Sequence, residues 1–482
     1  MMFRNFYLAA GALSLFPFVN AQASDLSRNQ GKPNIVFIMA DDLGWNDLGY
    51  TGSDYHETPC IDYLASEGMI FTNAYSAAAN SAPSRACFMS GMYTPRHGVF
   101  TVGSSARGNK KKRKLIPVEN TEDLRADFIT LGEALKAQGY TCGHIGKWHL
   151  GDDSDGTGPF SQGFDLNIAG CRAGTPYSYF YPYCSKKKGA CHPGLEQGKE
   201  GEYLTDRLTD EAVKFLIDSS KGSRPFFLYM AHHAVHVPLK APANLTEKYL
   251  GKQRGKYHHN PVYAAMMESL DSGVGRICHT LDSLGVADNT IIIFTSDNGG
   301  AEPVTDNFML RGGKGMPYEG GIRVPLIVKW PGHTKAGSKC DVAVNGIDFY
   351  PTLVGMAGGK AEQTLDGENI SCLFEGDDKN FKSRDLFWHF PAYLEANRKS
   401  GMNFRATPYS IVRSGEWKLI YFYETSEVEL YNLEKDVMET QNVAEKYPRL
   451  ANELGKKLKR WIADTDAFVP TEKNPDYEVI EK

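Results

Sequence analysis

The sequence predicts an α/β fold: a large, mostly parallel central sheet flanked by helices, followed by a smaller C-terminal α+β domain with an antiparallel sheet. Three observations predict it. Short, unbroken apolar runs alternate with longer stretches of helical periodicity, the pattern of parallel strands covered on both faces and joined by crossover helices. Several of these runs stop at polar pairs such as Asp41-Asp42 and Asp297-Asn298. After about Gly376 the texture changes to closely spaced, strand-like segments ending in one helical stretch.

The elements follow in chain order. Arg4, the apolar run Phe6 to Val19 and the small-x-small triplet Ala21-Gln22-Ala23 read as a cleavable export signal. Pro33 to Ala40 reads as a doubly covered strand, and Ile129 to Gly139 as a helix stopped by Gly139. Tyr140 to Gly146 is the next strand. Leu204 to Ser220 sets Leu208, Ala212, Phe215 and Leu216 at helical spacing, and Pro225 to Met230 reads as a strand. Ala264 to Leu284 carries Met267, Leu270, Val274, Ile277 and Leu281 on one stripe. Thr290 to Thr295 and Val324 to Trp330 are further strands. Tyr409–Arg413, Gly415–Phe422 and Glu427–Tyr431 read as antiparallel neighbours, and Leu450 to Asp464 as a closing helix. A chain of 482 residues exceeds one ordinary core. The expected division is therefore 1–23 signal, 24–376 main α/β domain and 377–482 C-terminal α+β subdomain.

Composition narrows the function. A net charge of −5 provides no global attraction to nucleic acid, so any grip on an anion must come from local clusters. No run after the signal is long and apolar enough to span a membrane. The nine cysteines are an odd number and none is spaced as CxxC, which argues against a structural zinc site. Cys171, Cys184 and Cys191 lie close enough to include a loop staple. Two basic runs stand out, Arg107 to Lys114 and Lys186 to Lys188. Each reads equally as a solvated loop or as a rim for a polyanion. Tyr177, Tyr179, Phe180, Tyr181 and Tyr183 crowd one loop, with sugar stacking and loop packing both open.

Asp41-Asp42, Lys147-Trp-His149, His236 and Asp297-Asn298 each fall just past an expected strand. In an open parallel sheet such ends share one edge, where ligands bind. Taken alone, the Asp-Asn-Gly-Gly segment reads equally as a turn. Together, Asp41, Asp42, Asp297 and Asn298 offer only oxygen donors, a set suited to Ca2+ or Mg2+.

Asn80-Ser81-Ala82-Pro83-Ser84-Arg85, with Ser90-Gly91 and Pro95-Arg96-His97-Gly98 beyond it, resembles the sulfatase signature. The resemblance continues through Gly139 to His149, Ser296 to Gly299, Gly312-Gly-Lys-Gly315 and Tyr318 to Pro325. The chain thus resembles the formylglycine-dependent sulfatases of the alkaline-phosphatase-like superfamily, in their Ser-type, bacterial carbohydrate-acting form. That resemblance implies a sulfuric ester hydrolase, periplasmic or secreted. It also implies oxidation of Ser81 to formylglycine during transient contact with a maturase. A hydrated aldehyde expels sulfate by re-forming its carbonyl, which divides one hard displacement into two easier steps.

By the same resemblance, Asp41, Asp42, Asp297, Asn298 and the Ser81-derived group are metal ligands. Arg85, one helical turn after Ser81, orients and stabilises the nucleophile. Lys147 and Lys314 contact sulfate, His149 takes the nucleophile's proton and His236 protonates the leaving oxygen. Arg323 serves as an anchor. His232 and His233 read as structural, and Lys240 as a residue able to reach a second acidic group. The implied substrate is a sulfated oligosaccharide of the glycosaminoglycan, mucin or algal type. The rival readings are a phosphoesterase of the same superfamily and a catalytically silent sulfated-glycan-binding protein.

Overall fold

The strand Asn34–Ala40 (β1) shows how the sheet is covered: all seven residues are buried. Ile35, Phe37 and Met39 face one core, while Val36, Ile38 and Ala40 face the other. A strand alternates its side chains between faces, so a continuous apolar run requires a helical layer on each side. The computed structural model describes residues 31–187, 189–396 and 400–478. The export signal expected at 1–23 and Lys188 of the second basic run lie outside these residues. Among the described residues no helix is long and apolar enough to cross a membrane.

The remaining strands of the main sheet are β2 (Met69–Phe71), β3 (Thr141–Gly146), β4 (Leu166–Ile168), β5 (Phe226–Ala231), β6 (Thr290–Ser296), β7 (Leu326–Lys329) and β8 (Ser338–Cys340). The eight strands lie in the order β8-β2-β7-β6-β1-β5-β3-β4. From β6 to β4 all pairings are parallel. β7 runs antiparallel to both β6 and β2, an orientation its apolar run does not encode.

Helices α1 (Ser81–Ser90) and α2 (Leu131–Ala137) cover one face, and α3 (Leu204–Ser220) and α4 (Pro261–Ser283) the other. α2 is shorter than expected, because the Thr130 side chain accepts a hydrogen bond from the Glu133 N–H and fixes the first turn there. α4 begins where the Asn260 side chain accepts from the Val262 and Tyr263 N–H groups, with Pro261 in its first position. Its stripe Met267, Leu270, Val274, Ile277 and Leu281 is fully buried. Each such side chain contributes about 1.5–3 kcal/mol of transfer free energy.

The C-terminal sheet is antiparallel in the order β9 (Leu386–Phe390), β10 (Tyr409–Ser414), β11 (Trp417–Phe422), β12 (Val428–Asn432). α5 (Pro448–Asp464) lays Leu454, Leu458 and Trp461 on Val412, Leu419 and Leu430. β9 was not foreseen, since four of its five residues are buried and it shows no alternation of apolar and polar residues. Cys184 and Cys191 form a disulfide that closes the loop between them; Cys171 is buried outside it.

One buried ion network ties this sheet to the main domain. Lys418 on β11 is fully buried, 3.0 Å from Glu319 and 2.8 Å from Glu439. Glu319 also accepts from the Tyr75 hydroxyl at 2.7 Å, and its N–H donates to Glu439 at 2.7 Å. Burial, reinforced by Glu319, pushes Glu439 up to about 7 against the pull of Lys418. Lys418→Met leaves two buried carboxylates without their ammonium and should cost about 3 kcal/mol or more. Thermal denaturation should show a lowered midpoint, partly restored in Lys418→Met/Glu319→Gln. A midpoint unchanged from the wild type would remove this network from the stabilising contacts.

Candidate active site

The strands β6, β1, β5 and β3 are parallel neighbours, so their C-terminal ends open onto one edge. The ladder runs on past the strands: Asp297 N–H donates to Ala40 O, Asp41 N–H to Ala234 O and Lys147 N–H to Ala231 O. These bonds lock four polar segments side by side. Gly146 makes the turn into Lys147 with φ +109°, and a Cβ there would lie 1.8 Å from Ala231 O. Only glycine accepts both conditions.

Ser81 occupies the first position of α1, a helix whose ten residues are all buried. Its hydroxyl lies 3.2 Å from Asp41 Oδ1 and 3.2 Å from Asn298 Oδ1. The positive end of the helix dipole therefore meets the carboxylate cluster. Asp42 N–H donates to Asp297 Oδ1 at 3.2 Å, and Asn298 Nδ2 donates to Asp42 Oδ1 at 2.9 Å. Asp41, Asp42, Asp297, Asn298 and Ser81 are thus gathered in one buried cluster.

Three cations match the three carboxylates. Lys147 Nζ sits 2.8 Å from both oxygens of Asp41. Lys314 Nζ sits 2.6 Å from Asp42. Arg85 grips Asp297 through Nε at 2.9 Å and Nη2 at 2.8 Å, and donates from Nη1 to Lys147 O at 2.9 Å. The pairing sorts the titrations. Burial, with Asp297 and Asp42 adding to it, pushes Asp41 up to about 7 against the pull of Lys147. Burial also lifts Asp42, but Lys314 and His236 outweigh it and hold that carboxyl well below its ordinary value. Burial lowers Lys147, whereas the carboxylates around Lys314, Asp42 foremost, overcome its burial and raise it.

Two histidines flank the cluster. His149 adopts φ +65° and its N–H donates to Cys171 O at 3.0 Å. A left-handed conformation at a non-glycine residue marks a backbone held by its surroundings. The ring closes on Gly174, where a Cβ would stand 2.2 Å from His149 Nε2. His236 donates from Nδ1 to Val237 O at 2.6 Å, which leaves Nε2 facing Asp42 Oδ2 at 3.5 Å. Burial holds His149 well below its ordinary value and His236 down to about 3, so both rings are neutral at pH 7.

Asp42, His149, His236 and Lys314 line a cavity of about 530 Å³. The donor set of Asp41, Asp42, Asp297, Asn298 and Ser81 is all oxygen, and Asp41 resists ionisation where it stands. Both facts fit a hard divalent cation such as Ca2+ or Mg2+. A nearby cluster, Asp47 with His56 and His258, is internally satisfied. Asp47 accepts from the Tyr263 hydroxyl at 2.6 Å and from the Gly44 N–H at 2.7 Å, while His56 Nδ1 donates to Asp47 O at 2.8 Å. It braces the loop that follows Asp41-Asp42.

Other expectations are settled by packing. Tyr179 and Tyr183 are buried, and the Tyr179 hydroxyl lies 2.7 Å from the carbonyls of both His233 and His236. Tyr179 thereby holds the histidine loop, Tyr183 instead donates to Glu202 at 2.8 Å, and neither buried ring presents a face to a sugar. His232 and His233 are buried away from solvent. Arg323 donates to Thr72 O and stands 3.6 Å from Glu319, an anchoring position. Lys240 is exposed and is not among the residues lining the cavity. The outer wall of the cavity contains Arg107, Glu302 and Arg405. Sequence reasoning missed Glu302 and Arg405, because Glu302 lies in the loop beyond the Asp-Asn-Gly-Gly segment that ends β6, Arg405 lies far along in the C-terminal region, and neither belongs to a motif.

Comparison with known proteins places this geometry. The sulfatase family model matches residues 33–359, and the model for the N-sulphoglucosamine sulphohydrolase C-terminal region matches residues 313–464. The chain is 35% identical to a sulfatase of Formosa agariphila, over 94% of this chain and 93% of that protein. It is 35% identical to N-acetylgalactosamine-6-sulfatase of Mus musculus, over 70% of this chain and 65% of that protein. The crystal structure of Ps i-CgsB in complex with k-i-k-neocarrahexaose superposes with a TM-score of 0.74 at 32% identity, covering 90% of this chain and 93% of that chain. With its strand-end cluster, its signature serine and this similarity along almost its whole length, the chain belongs to the sulfatase family and is a sulfuric ester hydrolase.

Proposed function

We propose that the enzyme removes sulfate from a sulfated carbohydrate in the periplasm or outside the cell, with residue 81 acting as nucleophile after oxidation of Ser81 to formylglycine. The observation that carries this reading is the placement of Ser81. It stands at the positive end of a buried helix, against Asp41 and Asn298, in a cluster that also holds Arg85, Lys147 and Lys314. The carbohydrate follows from two relatives, one named N-acetylgalactosamine-6-sulfatase and one solved with neocarrahexaose. Compartment follows from the export signal read at residues 1–23.

Ca2+ or Mg2+ held by Asp41, Asp42, Asp297, Asn298 and residue 81 would supply Lewis acidity, and the hydrated aldehyde the attacking oxygen. The chain's own groups do the rest. Lys147, Lys314 and the N-terminus of α1 bind sulfate oxygens. Arg85 keeps Asp297 and the Lys147 backbone in register. His149, neutral and buried, accepts the proton released at residue 81. Sulfate bound beside His236 opposes the effect of burial and favours a proton on Nε2, ready for the leaving oxygen. Because every residue of α1 is buried, oxidation of Ser81 by a maturase must precede closure of the fold.

The test is a screen of purified, matured protein against defined sulfated mono- and disaccharides, with mass spectrometry of the Ser81 peptide. Sulfate release and loss of two hydrogens at Ser81 are expected; hydrolysis of phosphate esters alone would defeat the reading. Ser81→Ala should reduce turnover by roughly 10³-fold or more while the circular dichroism spectrum stays native. Asp297→Ala should lose bound calcium and activity together, as measured by metal analysis, and normal metal content would take Asp297 out of the ligand set. His236→Ala should lose roughly 10²-fold on sugar sulfates but much less on an aryl sulfate, whose leaving group needs no proton. Equal losses on both substrates would deny His236 the role of general acid.

A further inference from the structure

The basic run Arg107 to Lys114 does not form a ring of free cations around the site. Lys110 and Lys111 pair with Asp476 and Glu478 of the C-terminal tail. Arg113 turns its guanidinium onto the backbone carbonyls of Ala106, Arg107 and Gly108. Asn474 of the tail donates to the carbonyls of Lys110 and Arg113 at 2.8 and 2.7 Å. These contacts brace the strap from both sides. Only one member of the run, Arg107, lines the cavity that holds Asp42, His149, His236 and Lys314.

Arg405 lines the same cavity from a two-stranded arm formed by Leu394–Glu395 and Phe404–Ala406. Its Nε donates to Glu395 O at 3.1 Å and its Nη1 to Lys314 O at 3.3 Å. Both partners are neutral carbonyls, which fix the guanidinium without cancelling its charge. Among the described residues Arg405 makes no ion pair, and its Nη2 carries no hydrogen bond. Arg107 pairs with Glu395 through Nη2 alone, leaving Nε and Nη1 without a described partner. Burial, and then the neighbouring Arg107 charge, hold Arg405 below its ordinary value. Two guanidiniums therefore line one cavity, and among the described residues one ion pair, Arg107 to Glu395, engages either of them. Glu302 also lines the cavity; no ion pair links it to either arginine among the described residues, though its charge acts on Arg405 from across the cavity.

We propose that Arg107 and Arg405 form a second anion-binding subsite at the mouth of the cavity, selecting sugars that carry another sulfate or a carboxylate besides the sulfate to be cleaved. The proposal rests on the carbohydrate sulfatase reading and narrows it to doubly anionic substrates. Guanidinium forks match the oxygens of sulfate and carboxylate in pairs, which gives geometry as well as charge. Arg405 donates to the carbonyl of Lys314, so the second anion would sit one residue contact away from the sulfate-binding lysine.

The experiment compares kcat/KM of the matured enzyme on N-acetylgalactosamine and galactose, each as a monosulfate and as a disulfate, by sulfate release. The disulfates should be preferred. In Arg107→Gln and in Arg405→Gln the disulfate-to-monosulfate ratio should fall roughly tenfold or more, the scale of a lost charge-assisted hydrogen bond. Lys112→Gln, which removes one charge from the same strap away from the cavity, should keep the ratio within about twofold. No preference in the wild type overturns the subsite. So does a ratio unmoved in the arginine variants, equal loss on both substrate classes, or a fall as large in Lys112→Gln. If Arg405→Gln does not fold, Arg107→Gln decides. A wild type active on monosulfates whose ratio fails these criteria sinks the subsite alone, whereas one inert on every sugar sulfate sinks the carbohydrate reading with it.

Discussion

The structure depends on the balance of charge at the end of the central sheet. Three carboxylates, Asp41, Asp42 and Asp297, are buried together where isolated charges would be expelled or neutralised. Lys147, Lys314 and Arg85 each take one of them. Because these partners come from segments scattered between residues 41 and 314, the electrostatic requirement also fixes how the loops meet. The helix that carries Ser81 is drawn into the same cluster, so Ser81 and its surroundings are assembled by one constraint.

That constraint explains the unusual backbone around it. Asp42 and His149 both adopt positive φ. Glycines stand where a side chain would collide with a neighbour, at Gly146 against Ala231 and at Gly174 against His149. Strained or glycine-dependent positions persist where the surroundings over-determine them. Here Asp42 is held within the charged cluster, while His149 is held by its N–H bond to the Cys171 carbonyl. The Tyr179 hydroxyl, shared between the carbonyls of His233 and His236, extends the same control to the histidine loop.

Much of this was legible in the sequence, for a physical reason. A doubly covered parallel strand must be apolar throughout, so the polar residues just past it are conspicuous, and the sheet itself guarantees that they meet. Asp41-Asp42, Lys147, His236 and Asp297-Asn298 could therefore be placed on one edge without coordinates. The antiparallel direction of β7 could not, since an apolar run looks the same in either direction. β9 escaped because burial on both faces erases alternation. Arg405 and Glu302 were invisible because a short two-stranded arm and a loop place them, and such segments have no periodicity to read.

The cavity is built by two sheets with different duties. Its floor comes from the strand ends of the main sheet, and part of its outer wall from the arm Leu394–Glu395 and Phe404–Ala406, which packs with the C-terminal sheet. The groups proposed to act on the ester and those proposed to select the rest of the molecule thus hang on separate scaffolds. On that reading, a change in the arm would alter what the cavity admits while leaving the strand-end cluster untouched, because the two belong to different sheets.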